Sequence, residues 1–498
     1  MITKTDQDEI QSFLSDASYM KGGTAGSVVF PENEEDIATL LAQATRDRTP
    51  VTISGAGTGT VGGRVPFGGV VLATDKLDQI RSIKKEGGGG FIITQPGVIL
   101  RDLQRAVDAE GLLYPPDPTE RSCFVGGNIA TNASGARTFK YGPTRDYVSR
   151  LRIALATGEI IELRRGELHA TNDGQIRIPL PSGRILEAQL PSYEMPRVRK
   201  HASGYFVAPG MDVLDLFIGS EGTVGIIVEA ELKLLTKPEA LLSGVVFFSA
   251  EDNLIGFVKE ARERSLDTRR QSSQSGLDAR ALEFFDSESL GFLRQKYSTV
   301  PSSAVGAIFF EQETTASSED SLMSEWQLLL DRHRALGDES WFADNEQDQA
   351  KLREFRHQLP VLMNEWFSRH NQRKVSTDMS VPDEEFPAML RFYQDTLRAD
   401  DLRYTIFGHI GDNHVHVNIL PRNDAEGVRA REIYVQFLKR AAAVGGTLSA
   451  EHGIGKLKRE YLQLFYSEQH LREMAALKRA FDPAGILGRG NIFSEDYL

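Results

Sequence analysis

The chain has 498 residues, 40% of them hydrophobic and 26% charged, and its net charge is −13. It is too long for one ordinary domain and apolar enough for a real core. The negative balance argues against nucleic acid or an anionic membrane as a wholesale partner, so an anionic substrate needs locally placed cations.

Met1–Gly22 is polar and acidic, without the apolar core of a signal peptide, and residues 1–20 read as a short helix. No run of about 18 apolar residues occurs. A soluble, cytoplasmic protein without a transmembrane segment is the expectation. Glu34–Thr45 follows as an amphipathic helix with Ile37, Leu40, Leu41 and Ala44 on one stripe. The β-rich run Pro50–Ile53 then enters Ser54-Gly-Ala-Gly-Thr-Gly-Thr-Val-Gly-Gly63, where five of ten residues are glycine. A helix does not survive that density, whereas bare amides can approach an anion closely. Gly57-Thr-Gly-Thr-Val-Gly62 matches the dinucleotide string Gly-x-Gly-x-x-Gly, but Gly63-Arg-Val-Pro66 follows in place of a helix. A Rossmann unit is therefore rejected in favour of a glycine loop that binds a pyrophosphate.

Gly69–Ala73 reads as a strand, and Tyr114-Pro-Pro-Asp-Pro118 as neither helix nor central strand. Val125–Gly135 is a second cluster of small residues and side-chain donors. Leu151–Ala156 is another strand, and Asp215–Val228 is an apolar run broken by three glycines. The single cysteine, Cys123, excludes an intrachain disulfide and an iron–sulfur cluster ligated by cysteines of this chain. From about Glu239 glycine becomes sparse, and helices alternate with β-rich runs such as Leu242–Phe248, Val305–Phe310 and Arg403–Phe407. The expected fold is α+β with domains at 1–238, 239–423 and 424–498, the second built on an antiparallel sheet covered by helices.

The densest chemistry lies in Phe407-Gly-His-Ile-Gly-Asp-Asn-His-Val-His-Val-Asn-Ile419, which holds three of only ten histidines. If His414–Ile419 is extended, His414, His416 and Asn418 share one face, and the turn at Gly411-Asp-Asn413 can bring His409 back toward His416. Such imidazoles suit a divalent metal or proton transfer. A helix over 424–444 then leads to Glu451-His-Gly-Ile-Gly455.

These segments in this order resemble the FAD-linked oxidases of the vanillyl-alcohol oxidase type. The branch is that of D-lactate dehydrogenase, the glycolate oxidase flavin subunit and D-2-hydroxyglutarate dehydrogenase. The resemblance rests on Gly55–Gly63, Pro115-Pro-Asp-Pro118, Gly126-Gly-Asn-Ile-Ala-Thr-Asn132, Lys140-Tyr-Gly-Pro-Thr-Arg-Asp-Tyr147 and Gly219-Ser-Glu-Gly-Thr-Val-Gly-Ile-Ile227. Nearer the C-terminus it rests on Gly408-His409, His416, Glu451-His-Gly-Ile-Gly455 and Asp482-Pro483.

It implies an FAD domain that holds the cofactor between two α+β subdomains, an α+β cap over the flavin ring and a helical C-terminal tail that packs back on the FAD domain. Non-covalent FAD would be held by the loop from Ser54 through Gly55, Gly57, Thr58 and Gly59, by Pro116, Gly126, Gly127, Asn128, Thr131, Ser134 and Gly135, and by Gly222 and Ile227. A divalent metal, commonly zinc, would be ligated by His409, His416 and Glu451, with His452 as the base. The substrate carboxylate falls to Arg353, with Lys374 second, and Asn418 could hydrogen-bond substrate. Arg356 could equally be salt-bridged. His414 departs from the family pattern and could support a ligand, approach the flavin or compete as a ligand. Gly488-Arg-Gly-Asn491 also departs from it and receives no cofactor contact.

The implied reaction oxidises a D-2-hydroxy acid to the 2-oxo acid, with a quinone, a cytochrome or an electron-transfer flavoprotein as acceptor; a homodimer is left open. The alternatives are an oxygen-reducing flavin oxidase acting on another alcohol, a flavin-free metal-dependent hydrolase, and a non-catalytic ligand-binding subunit.

Overall fold

The computed structural model describes residues 1–271 and 276–498. A small sheet comes first, with β1 (Ile2–Lys4), β2 (Ser27–Phe30), β3 (Val51–Ser54) and β4 (Val70–Ala73) in the order β1-β2-β4-β3. β4 is parallel to both β2 and β3. The helix Glu34–Asp47 connects β2 to β3 and buries Ile37, Leu41 and Ala44 against Val51, Leu72 and Ala154. The helix expected over residues 1–20 is corrected. Ile2 and Thr3 are β-branched and pair with β2, and Asp6 caps only the single turn Gln7–Ile10.

β5 (Ile80–Glu86), β6 (Gly89–Thr94), β7 (Leu112–Leu113), β8 (Val148–Ala154) and β9 (Ile160–Arg164) precede a separate hairpin of β10 (Gln175–Pro179) and β11 (Ile185–Gln189). The long strand β12 (Ile226–Thr236) then inserts centrally into an antiparallel sheet ordered β5-β6-β12-β8-β9, with β7 pairing at its end. The segment Val125–Gly135 opens as a helix, Val125–Ala130, rather than as a plain loop.

The third sheet has seven antiparallel strands: β13 (Ala240–Phe248), β14 (Ala279–Asp286), β15 (Gly306–Thr314), β16 (Trp341–Ala343), β17 (Val375–Ser376), β18 (Tyr404–Gly408) and β19 (His416–Ile419). Their order is β16-β13-β15-β14-β18-β19-β17. Neighbouring phenylalanines point to opposite faces, as a pleated strand requires. Phe284 and Phe310 pack with Leu254, Phe257 and Trp326. Phe285 and Phe309 pack under the helix Glu346–His370 through Leu352, Phe355 and Leu359. Each buried ring removes apolar area worth roughly 1.5–3 kcal/mol, so the sheet is fixed from both sides.

After the helix Asp424–Ala443 the chain returns to the first sheet, where Leu487 bridges Val51 and joins its core. The intervening stretch ties the parts together: Thr447 bridges Ser380, the Ala202 N–H donates to Ser449 O, and Gly455 O accepts from Ile492. Among the described residues no helix is long and apolar enough to cross a membrane.

Candidate active site

A cleft of about 1120 Å³, open solvent at its mouth included, separates the glycine loop from the segments around residues 126 and 222. Gly55, Gly57, Thr58, Gly59, Gly126, Gly127, Asn128, Thr131, Gly222 and Ile227 line it, and so does His452. Among the described residues no backbone N–H from Ala56 to Gly63 donates to the protein. A row of amides without internal acceptors is what an anionic group such as a pyrophosphate needs. At Gly59 and Gly127 an added Cβ would meet nothing, so the bare backbone leaves room for a ligand. Gly57 has φ +80, and a Cβ there would strike the Arg64 guanidinium at 2.5 Å. That guanidinium holds the loop by donating to Ser54 Oγ and Gly55 O.

Four residues named for the cofactor stand off this wall. Ser54 lies beneath the loop, and Pro116 accepts from Gln104 through its carbonyl. Ser134 Oγ lies 3.4 Å from Glu451, and Gly135 O accepts from Lys200. Asn491, which the sequence left unassigned, does line the cleft. It is positioned by Lys456 and by the carbonyls of Gly63 and Glu221. Cys123 is also on the wall, and burial pushes its thiol up to about 11, so it is not a thiolate.

Beside the cleft stand His409, His414, His416 and Glu451, with one ligand atom of each within 4.8 Å of every other. His416 Nε2 is 3.2 Å from Glu451 Oε1, and His409 Nε2 is 3.4 Å from Oε2. Tetrahedral bonds of 2.0–2.1 Å put ligand atoms about 3.3 Å apart, which matches these separations. The far nitrogens are already committed: His409 Nδ1 pairs with Glu283 at 2.6 Å and His416 Nδ1 with Thr377 O at 3.1 Å. Such outer bonds orient metal-binding imidazoles. The donor set therefore fits a divalent ion.

His414 precedes the strand rather than lying in it, since β19 begins at His416. Its Nδ1 is 3.9 Å from Glu451 and its Nε2 3.1 Å from Asp378 Oδ1, neither in well-formed hydrogen-bond geometry. Burial lowers its pKa to about 3, so it is a neutral imidazole within reach of the cluster. Burial likewise lowers His416. For His409 burial acts in the same sense, but the Glu283 charge outweighs it and the pKa rises. Burial would raise Glu451; Lys200, then His409, hold it well below the carboxylate range. Lys200 is fully buried, with Nζ 3.3 Å from Glu451 and 3.6 Å from Asp412.

His452 joins cleft and cluster. Its ring stacks on His416 at 5.5 Å, Nδ1 lies 3.2 Å from Asp378 Oδ2, and Nε2 lies 3.6 Å from Glu451 Oε1. Asp378 is a buried hub. It accepts from the backbone N–H of Glu451 and of His452, from the Ser449 hydroxyl, and from Lys458 Nζ at 2.5 Å. Burial opposes its charge, yet His452 and Lys458 bring it well below the usual range. Glu221 fixes the next turn by accepting from Ile454 and Gly455, both at 2.7 Å.

The substrate candidates lie on the third sheet and the helix that covers it. Arg353 is partly exposed on the helix Glu346–His370, 3.8 Å from Glu311. One turn later Arg356 binds Glu283 at 2.7 Å, which settles its role as a buried ion pair behind His409. Lys374 is solvent-accessible, and desolvation of its ammonium by surrounding groups lowers its pKa. Asn418 accepts from Ser376 at 2.9 Å, on the strand pair β17–β19. Glu283, Asp378 and Lys200 were missed by sequence reasoning. The one available signal was Glu283, a lone charge inside the apolar run Ala281-Leu-Glu-Phe-Phe285.

Comparison with known proteins bears on the whole arrangement. Residues 25–164 match the family "FAD binding domain", and residues 257–492 match "FAD linked oxidases, C-terminal domain". The chain is 30% identical to the glycolate oxidase subunit GlcD of Bacillus subtilis (strain 168) over 491 residues, 97% of this chain and 92% of that protein. It is 31% identical to the D-lactate dehydrogenase of Anaerostipes hadrus over 510 residues, 97% and 93% of the two chains. It is 26% identical to the D-2-hydroxyglutarate dehydrogenase of Stutzerimonas stutzeri (strain A1501), 98% and 96% covered. In fold it is similar to an alkyldihydroxyacetonephosphate synthase, with a TM-score of 0.67 over 98% of this chain and 82% of that one, at 16% identity. A glycine-amide cleft that this family assigns to FAD, in a chain alike along nearly its whole length, places the protein among the FAD-linked oxidases.

Proposed function

We propose that the protein oxidises a D-2-hydroxy acid to the 2-oxo acid, with FAD in the glycine cleft and a divalent ion, commonly zinc, at His409, His416 and Glu451. The single observation that carries this reading is the position of His452, on the cleft wall and 3.6 Å from the carboxylate of the metal-type cluster. When bound, FAD supplies the two-electron acceptor for the hydrogen leaving Cα, and the ion acidifies the hydroxyl. The rest is done by the chain. Asp378 favours the tautomer of His452 with its proton on Nδ1, which leaves Nε2 to take the hydroxyl proton. Arg353, with Lys374 and Asn418, orients the substrate carboxylate. His414 stands as a fourth donor for the ion, its third nitrogen.

Membership of this family sets the flavin-free hydrolase aside. Relatives named D-lactate dehydrogenase and D-2-hydroxyglutarate dehydrogenase support the acid class. The test is anaerobic. The purified FAD-loaded protein should lose its yellow colour on adding a D-2-hydroxy acid and keep it with the L-enantiomer. Colour retained with every 2-hydroxy acid would refute the proposal.

A further inference from the structure

Beyond the cluster, three guanidiniums converge on one carboxylate. Glu311, nearly buried on β15, lies 3.6 Å from Arg280 Nε, 3.8 Å from Arg353 Nη1 and 3.9 Å from Arg137 Nε, none at hydrogen-bond distance. Arg137 has a second neighbour, Asp117 at 3.3 Å, but Arg121 binds that carboxylate through two hydrogen bonds of 3.1 and 3.0 Å. Four guanidiniums thus share two carboxylates, a surplus of two positive charges. Glu283, the next carboxylate on this face, is already taken by Arg356 and His409.

Arg121 and Arg353 are 44% and 30% exposed, but the centre of the group is buried. The Arg280 side chain is 4% exposed and its Nε has no hydrogen-bond partner. Burial, then the Arg137 charge, lowers this guanidinium to about 9, which leaves it cationic at neutral pH. An uncompensated buried charge is costly, so an anion is the natural complement. The cluster also adjoins the site described above. Ser134, three residues before Arg137, touches Glu451. Arg353 and Arg356 are one helical turn apart. Glu311 pairs opposite Ala281, two residues from Glu283 on the same face of β14, so the two glutamates are about 7–8 Å apart as diagonal neighbours.

We propose that Arg137 and Arg280, beside the Arg353 that holds the first carboxylate, form a seat for a second one, so that the preferred substrate is a 2-hydroxy dicarboxylate rather than a monocarboxylate. Two surplus charges match two carboxylates; a monocarboxylate would leave one guanidinium unsatisfied. This rests on the reading of the protein as a 2-hydroxyacid dehydrogenase.

The experiment measures flavin reduction by glycolate, D-lactate, D-malate and D-2-hydroxyglutarate, and inhibition by glutarate against butyrate. The dicarboxylates should exceed the monocarboxylates in kcat/KM by about tenfold or more, and glutarate should inhibit at correspondingly lower concentration. Arg280→Met should bring that ratio down by roughly tenfold, mainly through KM, while Arg280→Lys should restore part of it. Equal use of both classes by the native enzyme would overturn the seat while leaving the dehydrogenase reading intact. So would an Arg280→Met variant that lowers both classes alike. If no acid reduces the flavin, both fall together. The glutarate comparison needs no variant and stands even if Arg280→Met does not fold.

Discussion

The glycine cleft and the histidine cluster sit side by side but bind by opposite means. The cleft works with backbone: the amides from Ala56 to Gly63 make no hydrogen bond among the described residues, and much of the wall is glycine. The cluster works with side chains drawn from β14, the turn between β18 and β19, β19 itself, the segment after β17, and residues 200 and 451–458. Its three expected ligands are each held by another group, His409 by Glu283, His416 by Thr377 O and Glu451 by Lys200. A backbone site fails only when something bulky is added. A side-chain site fails when any one member or its support is removed.

Substitutions should separate the two. His416→Ala should have the largest effect, removing bound metal and reducing turnover by about 10³-fold, with the flavin spectrum unchanged; elemental analysis and absorbance report the two arms. Glu283→Gln should come next. It leaves the shape of His409's partner but removes its charge, and a loss of roughly 10- to 100-fold in metal affinity is expected by metal titration. Breaking the buried Arg356 pair should also lower stability by about 3 kcal/mol in denaturant unfolding. Because Glu283 is held below its ordinary pKa, its stabilisation is present above about pH 4.3 and is lost as pH falls toward the folded value, so Glu283→Gln should flatten the acid limb. Gly59→Val should be mildest. It fills cleft space and weakens FAD binding about tenfold by fluorescence titration, with metal content untouched.

Much of the fold was legible because hydrophobic period reports local structure. The helices at 34–47 and 424–443 and the strands at 240–248 and 404–408 lie where periodicity put them. The N-terminal helix failed because a tertiary ladder with β2 outweighed weak helical propensity. Glycines advertised the cleft directly, since few other reasons explain five in ten residues. The cluster was legible only in its histidines and in Glu451-His452. Its supports, Glu283, Asp378 and Lys200, are single charged residues in ordinary segments, and only the fold reveals that they meet. Asn491 was hidden for the same reason: its backbone neighbours, Gly63 and Glu221, lie far away in sequence.

His452 links the two regions. The most direct measurement is anaerobic stopped-flow reduction of bound flavin by a D-2-hydroxy acid, comparing the native protein with His452→Ala at matched FAD and metal content. Loss of the proton acceptor should slow reduction by about 10²–10⁴-fold with the flavin still bound. Equal reduction rates in the two proteins would contradict it.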